Sequence, residues 1–284
     1  MAMVNYNGNI FASDTNFLNH ENRGLRYGDS LFESIRAIKG KMVFWEDHYL
    51  RLMASMRILR MEIPMEFTME FLETEVLKTI EANGFEDGAR VRLSVFRNDG
   101  GLYRPETRSV SYIIETNPLE SLFFTLDESN YEVELFKDFY VNADMLSNLK
   151  TNNRIVNVVG SIYAEENGYD NCLLLNNSKH VVEALNANLF MVNGETITTP
   201  PLKDGCLNGI IRKKLMGIIK NLEGYTLAEA SISPFDLQRA DELFITNALV
   251  GIRSISKYKK KEFGNLVSKH LLGTLNAASR LTEV

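Results

Sequence analysis

The sequence predicts an α+β (α/β mixed) fold in two domains. Amphipathic helical stripes are interspersed with short runs of period-two hydrophobicity, so helices must layer on sheet. Two Asn-Gly pairs, Asn7-Gly8 and Asn193-Gly194, close extended runs as turns. Asn117-Pro118 interrupts the pattern between two such layers. The expected division is a small α/β domain over residues 1–117, a linker over 118–126 and a larger domain over 127–284.

In chain order, residues 3–6 read as a strand closed by Asn7-Gly8. The stretch from Asn22 through Tyr27, Gly28 and Asp29 reads as a loop leading into a strand at 31–38. Lys39-Gly40 turns that strand into another at 42–44. Glu46 and Asp47 open a helix, acids in a first turn being favoured by the helix dipole. Its stripe is Tyr49, Leu52, Met53, Met56 and Leu59. A second helix starts after Pro64 and ends at Gly84, with Phe67, Phe71, Leu72, Val76 and Ile80 facing inward. Residues 89–96 alternate polar side chains with Val91, Leu93 and Val95, as a half-buried strand should. A break at 98–101 and a strand at 109–115 complete the first domain.

Beyond the linker come a strand at 133–136 and a helix beginning near Asn153. That helix carries Ile155, Val158, Val159, Ile162 and Tyr163 at helical spacing and stops at Gly168. Strands at 171–175 and 188–192, a helix from about 209 to 222, a strand at 242–246 and a helix at 266–281 follow.

Bulk composition excludes several classes. The net charge of −6 argues against a nucleic-acid binder, since phosphate backbones reward clustered Lys and Arg. No run of about 18 apolar residues occurs, so no membrane span is expected. The first residues lack the basic and apolar regions of a signal peptide. Cys172 and Cys206 have no ligand-like spacing, so neither a disulfide framework nor a metal site is suggested. A reduced, cytoplasmic compartment fits best.

Five stretches carry candidate chemistry. Lys150 emerges between polar, turn-rich residues and the start of a helix. In a chain with 31 Lys plus Arg, that placement alone does not single it out. Arg51 follows Glu46-Asp47-His48-Tyr49-Leu50 on the first long helix, and a guanidinium suits bidentate anion binding. Glu183 lies between apolar runs, five residues before Asn188-Leu189-Phe190; burying it demands a partner. Leu207-Asn208-Gly209-Ile210-Ile211-Arg212 opens a helix whose free N–H groups make an anion site without a charged side chain. Thr246 and Asn247 end a strand in a small polar turn, where they serve either as ligands or as turn residues. No G-x-G-x-x-G follows a strand and no G-x-S-x-G occurs. His20, His48, His180 and His270 show no nucleophile pattern and read as structural or exposed.

In register, these stretches resemble the class IV aminotransferases, the fold-type IV enzymes that use pyridoxal 5′-phosphate. The matching segments are Glu46-x-His48-x-x-Arg51-Leu52, Lys150 before its helix, Glu183-x-x-x-x-Asn188-Leu189-Phe190 and Leu207-x-Gly209-Ile210-Ile211-Arg212. The resemblance covers nearly the whole chain. It implies a small α/β domain, a larger pseudo-barrel domain that binds the cofactor, and a homodimer. It also implies that Lys150 carries the cofactor as a Schiff base and that Glu183, with Asn188, meets the pyridine nitrogen. Arg51, Leu207, Gly209 and the amides of Ile210 and Ile211 would hold the phosphate, with Thr246 and Asn247 as further contacts.

Within the family, Lys150-x-x-Asn153-Arg154 and Thr246-Asn247-Ala248-Leu249 are similar to the 4-amino-4-deoxychorismate lyases. The implied reaction converts 4-amino-4-deoxychorismate to 4-aminobenzoate and pyruvate, in the folate pathway. Arg154, Arg92 and Arg104 are then candidates for substrate carboxylates, and Tyr27 and residues 100–104 for lining the partner's pocket. Residues 97–104 depart from the lyase loop pattern, with arginine and tyrosine displaced. The alternative is a class IV aminotransferase acting on branched-chain or D-amino acids with 2-oxoglutarate.

Overall fold

The computed structural model describes residues 2–281. They divide into two compact units: residues 2–122 with Lys150–Asn153, and Phe123–Leu149 with residues 154–281.

The first unit contains β1 (Met3–Tyr6), β2 (Asn9–Ala12), α1 (Arg23–Tyr27), β3 (Ser30–Ile38), β4 (Lys41–Met42), α2 (Trp45–Ile58), α3 (Met69–Asn83), β5 (Gly88–Arg97) and β6 (Val110–Pro118). The strands form one sheet in the order β2-β1-β6-β5-β3-β4. Tyr6 pairs with Asn9, leaving a two-residue turn in which Asn7 (φ 49°) and Gly8 (φ 83°) are both left-handed. That is the turn an Asn-Gly pair favours. Ile35, Val91, Leu93, Val95 and Ile114 are fully buried, as are Met56 of α2 and Leu72 and Val76 of α3.

Four departures from the sequence reading lie in the first unit. The stretch read as a loop before β3 holds the single turn α1, started by the Asn22 side chain accepting from the Leu25 amide and ended by Gly28 at φ 62°. The strand expected at 42–44 stops at Met42, because Phe44 turns left-handed (φ 56°) and starts α2 at Trp45. The helix after Pro64 begins only at Met69, where Thr68 caps the Phe71 amide. β6 runs on through Asn117 and Pro118, which pair with Arg90 and Ala89. A proline at the last position of a strand is tolerated there.

The second unit contains β7 (Glu132–Val141), α4 (Ile155–Glu166), β8 (Asn171–Asn176), β9 (Val181–Ala184), β10 (Asn188–Asn193), β11 (Thr196–Thr199), α5 (Ile210–Lys220) and β12 (Thr226–Glu229). It continues through α6 (Pro234–Leu237), β13 (Glu242–Asn247), β14 (Gly251–Ile255), β15 (Lys257–Tyr258), β16 (Lys261–Glu262) and α7 (Leu266–Leu281). One branched sheet joins the strands: β10 pairs with β9, β11 and β13. Both sheet faces are buried. Leu173 and Leu175 of β8 enter one apolar cluster, while Cys172 and Leu174 enter another with Phe136, Val182 and α4.

Asn193 pairs with Thr196, so the second hairpin turns on Gly194-Glu195, one residue later than the Asn-Gly pair suggested. The apolar positions of α4 divide between two directions. Val156, Val159 and Tyr163 pack inward, and Gly160 lets the helix approach, since a Cβ there would meet Leu185. Ile155, Val158 and Ile162 are 71%, 52% and 49% exposed. Among the described residues, no helix is long and apolar enough to cross a membrane.

Candidate active site

In the first unit, β3 alternates Leu31, Glu33 and Ile35, all buried, with the partly exposed Phe32 and Ser34. Glu33 therefore reaches the interior as a carboxylate only 2% exposed, a position tolerable only with compensating partners. α2 supplies them from one face, three residues apart. Arg51 donates from Nε to Glu33 Oε1 (2.8 Å) and from Nη2 to Oε2 (2.5 Å), and His48 Nδ1 lies 2.7 Å from Oε2. Burial alone would raise the Glu33 pKa. The Arg51 charge and the His48 hydrogen bond overcome it and hold the group down at about 2. Burial pushes the His48 pKa below its ordinary value despite the Glu33 carboxylate, with the charges of Arg51 and Lys150 adding to the effect. Because an ionised carboxylate only accepts, neutral His48 carries its proton on Nδ1 and presents Nε2 as an acceptor.

The Lys150 backbone is fixed to the same strand. On this edge β4 covers only Ala37 and Ile38 of β3, so residues 30–32 take another partner. The Phe32 amide donates to the Lys150 carbonyl (2.9 Å), the Asn152 amide donates to the Ser30 carbonyl (3.1 Å), and Leu31 bridges Thr151. Asn153 donates to the Gly28 carbonyl, packing where a Cβ on Gly28 would clash. Lys150 Nζ lies 4.3 Å from the Phe32 ring centroid, and Arg92 Cζ lies 3.9 Å from the same centroid. Arg92 also donates to Asn152 Oδ1 (3.2 Å).

A second buried ion network shapes the loop after β5. Asp29 Oδ2 accepts from Arg23 Nε and Arg97 Nε. Arg23 Nη1 in turn donates to the carbonyls of Gly100 and Leu102. The loop thereby presents Leu102, Tyr103 and Arg104 to solvent, with the Tyr103 ring 5.7 Å from that of Tyr27.

In the second unit, Glu183 of β9 pairs in register with Asn188 of β10. Glu183 is buried, and its Oε2 accepts from the Leu207 amide (2.9 Å). Asn188 Nδ2 donates to the Leu207 carbonyl (2.8 Å), so Leu207 is gripped on both sides. Gly209 is the N-cap of α5 and makes no side-chain cap. A Cβ on Gly209 would approach Asn188 Oδ1 closer than 3.0 Å, which explains the glycine. Arg154 precedes α4 and donates to the Leu149 carbonyl (2.8 Å). Thr246 Oγ1 donates to the Gly251 carbonyl, and Asn247 Oδ1 accepts from the amides of Leu249 and Val250. Both side chains thus hold the β13–β14 turn, one of the two readings the sequence left open.

The first unit brings Arg51, Lys150 and Arg92 together around β3, and the second gathers Glu183, Asn188, Leu207 and Gly209. Sequence reasoning missed Phe32 and Glu33, and gave His48 no role of its own within the Glu46-x-His48-x-x-Arg51 segment. Glu33 was detectable, since it falls in the buried phase of β3 with Leu31 and Ile35. His48, read as structural or exposed, shares a helix face with Arg51.

Residues 30–258 match the amino-transferase class IV family. The chain belongs to that family. A Methanocaldococcus jannaschii protein provisionally named a branched-chain-amino-acid aminotransferase is 32% identical over 232 residues, 81% of this chain and 78% of that one. The aminodeoxychorismate lyase of Vibrio harveyi is 26% identical over 262 residues, 89% of this chain and 94% of that one. A branched-chain amino acid aminotransferase from T.th., solved with pyridoxamine 5′-phosphate, superposes with a TM-score of 0.86 at 23% identity, covering 98% of this chain and 94% of that one. The last comparison carries the fold alone. This class IV enzyme therefore has two sheets and a mixed α/β architecture.

Proposed function

We propose that this class IV enzyme uses pyridoxal 5′-phosphate to convert 4-amino-4-deoxychorismate into 4-aminobenzoate and pyruvate. The observation that carries the proposal is the surroundings of Lys150. Its amine lies beside an aromatic face, Phe32, that also carries the Arg92 guanidinium. A flat ring bearing carboxylates suits a face of that kind. The match to the Vibrio harveyi lyase over most of both chains supports the reading.

The residues present fit the cofactor. A buried carboxylate, Glu183, suits a protonated ring nitrogen; the half-buried Arg51 and the uncapped start of α5 suit a phosphate. When bound, pyridoxal phosphate supplies an electron sink for the carbanion formed at the amine-bearing carbon. Lys150 Nζ would hold the cofactor and, as a free amine, would take the proton from the amine-bearing carbon of the substrate. Glu183 keeps the ring nitrogen cationic, with Asn188 orienting the Leu207 strap beside it. Arg51 and the amides of Ile210 and Ile211 hold the phosphate; Thr246 and Asn247 hold the turn at that end. Arg92, Arg154 and Arg104 bind substrate carboxylates. The two products together contain every atom of the substrate, so no amino acceptor is consumed.

We infer a homodimer as well. Ile155, Val158 and Ile162 leave an exposed apolar face along α4 of the kind a second copy covers. Tyr27 and the loop tip at Leu102 and Tyr103 would reach the partner's site. A cytoplasmic location suits Cys172 and Cys206, both free and buried.

The deciding experiment supplies 4-amino-4-deoxychorismate to purified enzyme and follows pyruvate with a coupled dehydrogenase. The proposal expects pyruvate and 4-aminobenzoate in equal amounts with no acceptor present. Turnover only with 2-oxoglutarate and a branched-chain or D-amino acid would make the enzyme an aminotransferase instead, as the Methanocaldococcus jannaschii relative suggests.

A further inference from the structure

We propose that Glu33 is the positioning residue of the cofactor site, fixing the Arg51 guanidinium relative to Lys150. This rests on the reading of Arg51 as the phosphate anchor. Two neighbouring residues of β3 hold the two groups. The Phe32 amide holds the Lys150 carbonyl, and the Glu33 carboxylate holds Arg51 by two hydrogen bonds. β3 is itself clamped along its whole length, pairing with β5 from Ser30–Phe96 to Ile38–Gly88. The spacing between lysine and arginine is therefore referenced to one rigid strand rather than to two independently mobile side chains. His48 contacts the same carboxylate oxygen as Arg51 Nη2, closing the cluster against rotation of Glu33.

A carboxylate beside an anion-binding arginine has two opposing effects. Its negative charge weakens the pull of Arg51 on a phosphate, while its two-point grip removes the rotamer freedom of a long side chain and fixes the plane of the fork. Phosphate recognition by a guanidinium is directional, so a fork held in plane gains more than the diluted charge loses. Glu33→Gln separates the two effects because it keeps the volume, removes the charge and turns a donor amide toward the donors of Arg51 and His48. If charge dilution governed, this variant would bind phosphate more tightly; if positioning governs, it binds more weakly.

The measurement is calorimetric titration of the full-length protein with pyridoxal phosphate and, separately, with pyridoxal, which lacks the phosphate. The ratio of the two dissociation constants isolates the phosphate contribution and is insensitive to a uniform loss of stability. In Glu33→Gln the phosphate advantage is expected to fall about tenfold, the weight of one charge-assisted hydrogen bond. Glu33→Asp, which keeps the charge but shortens the reach, should recover part of it and serves as the second variant if the glutamine protein does not fold. An unchanged or larger phosphate advantage in both variants overturns the positioning role. Arg51→Leu is the control for the underlying reading. If it leaves the ratio at the wild-type value, Arg51 is not the phosphate anchor; if it abolishes the advantage while the Glu33 variants do not, only the inference about Glu33 fails.

Discussion

Gly209→Ala tests the packing that joins Glu183 to the start of α5. The backbone at Gly209 (φ −73°, ψ 141°) is open to any residue, so no conformational strain enters. The cost comes from space. The added methyl would press on Asn188 Oδ1, with Asn188 Cγ at 3.2 Å and Arg212 Cβ in ordinary contact at 3.5 Å. Asn188 must turn away and give up its bond to the Leu207 carbonyl, a loss of about 0.5–1.5 kcal/mol for a buried neutral pair. Overpacking adds about 1–3 kcal/mol. A total near 2–4 kcal/mol lowers Tm by roughly 4–16 °C, at about 2–4 °C per kcal/mol for chains of comparable size. The assay is thermal unfolding of wild type, Gly209→Ala, Asn188→Ala and the double variant. Once Asn188 is alanine, the obstructing oxygen is gone, and Gly209→Ala should then cost less than about 1 kcal/mol, the N-cap preference for glycine. Additive losses, or a Gly209→Ala protein as stable as wild type, would refute the steric account.

Acidification should destabilise the protein in two stages. His48 is depressed below 6.5 when folded, so the unfolded chain takes up its proton first and stability starts to fall as pH drops below 6.5. Glu33, held near 2 against 4.5 unfolded, contributes stability on the order of 3 kcal/mol above pH 4.5 that is lost as pH falls toward 2. Urea unfolding across this range should be flatter below pH 4.5 for Glu33→Gln than for wild type; parallel curves would contradict the assignment. Under the proposed lyase reaction, Lys150→Ala should lower acceptor-independent pyruvate release by at least about 10²-fold, the floor for losing a proton-transferring group. Val158→Glu should shift the protein toward monomer in sedimentation, because it places a charge on the exposed face of α4. Glu242→Gln should cost about 1 kcal/mol of stability, since both carboxylate oxygens accept α7 amides, those of Val267 and Ser268.

The long elements were legible because their signals are local. The stripe of α2, the alternation in β5 and the glycine stops at Gly84 and Gly168 can each be read from a few consecutive residues. What escaped depends on contacts distant in sequence. No local pattern marks residues 150–152 as the companion of β3, since that edge exists only because β4 is short. The split stripe of α4 also escaped, because spacing identifies an amphipathic helix without identifying what covers each side. The motifs singled out Arg51, Glu183, Asn188 and Leu207, but not which of them touch nor that Glu33 holds Arg51. The buried phase of β3 contained Glu33 all along, and matching it to Arg51 required knowing that α2 lies over that strand.

The join between β3 and residues 150–152 has a consequence for synthesis. During translation the first 122 residues emerge as a nearly complete sheet in which the Ser30 carbonyl and Phe32 amide face an open edge. That edge closes only after residue 152 has left the ribosome, and an exposed edge is a template for pairing with other chains. Fragments ending before the lysine should therefore be prone to aggregate although almost every element of the first unit is present. Lys150, the residue proposed to hold the cofactor, sits in the short segment that completes the sheet.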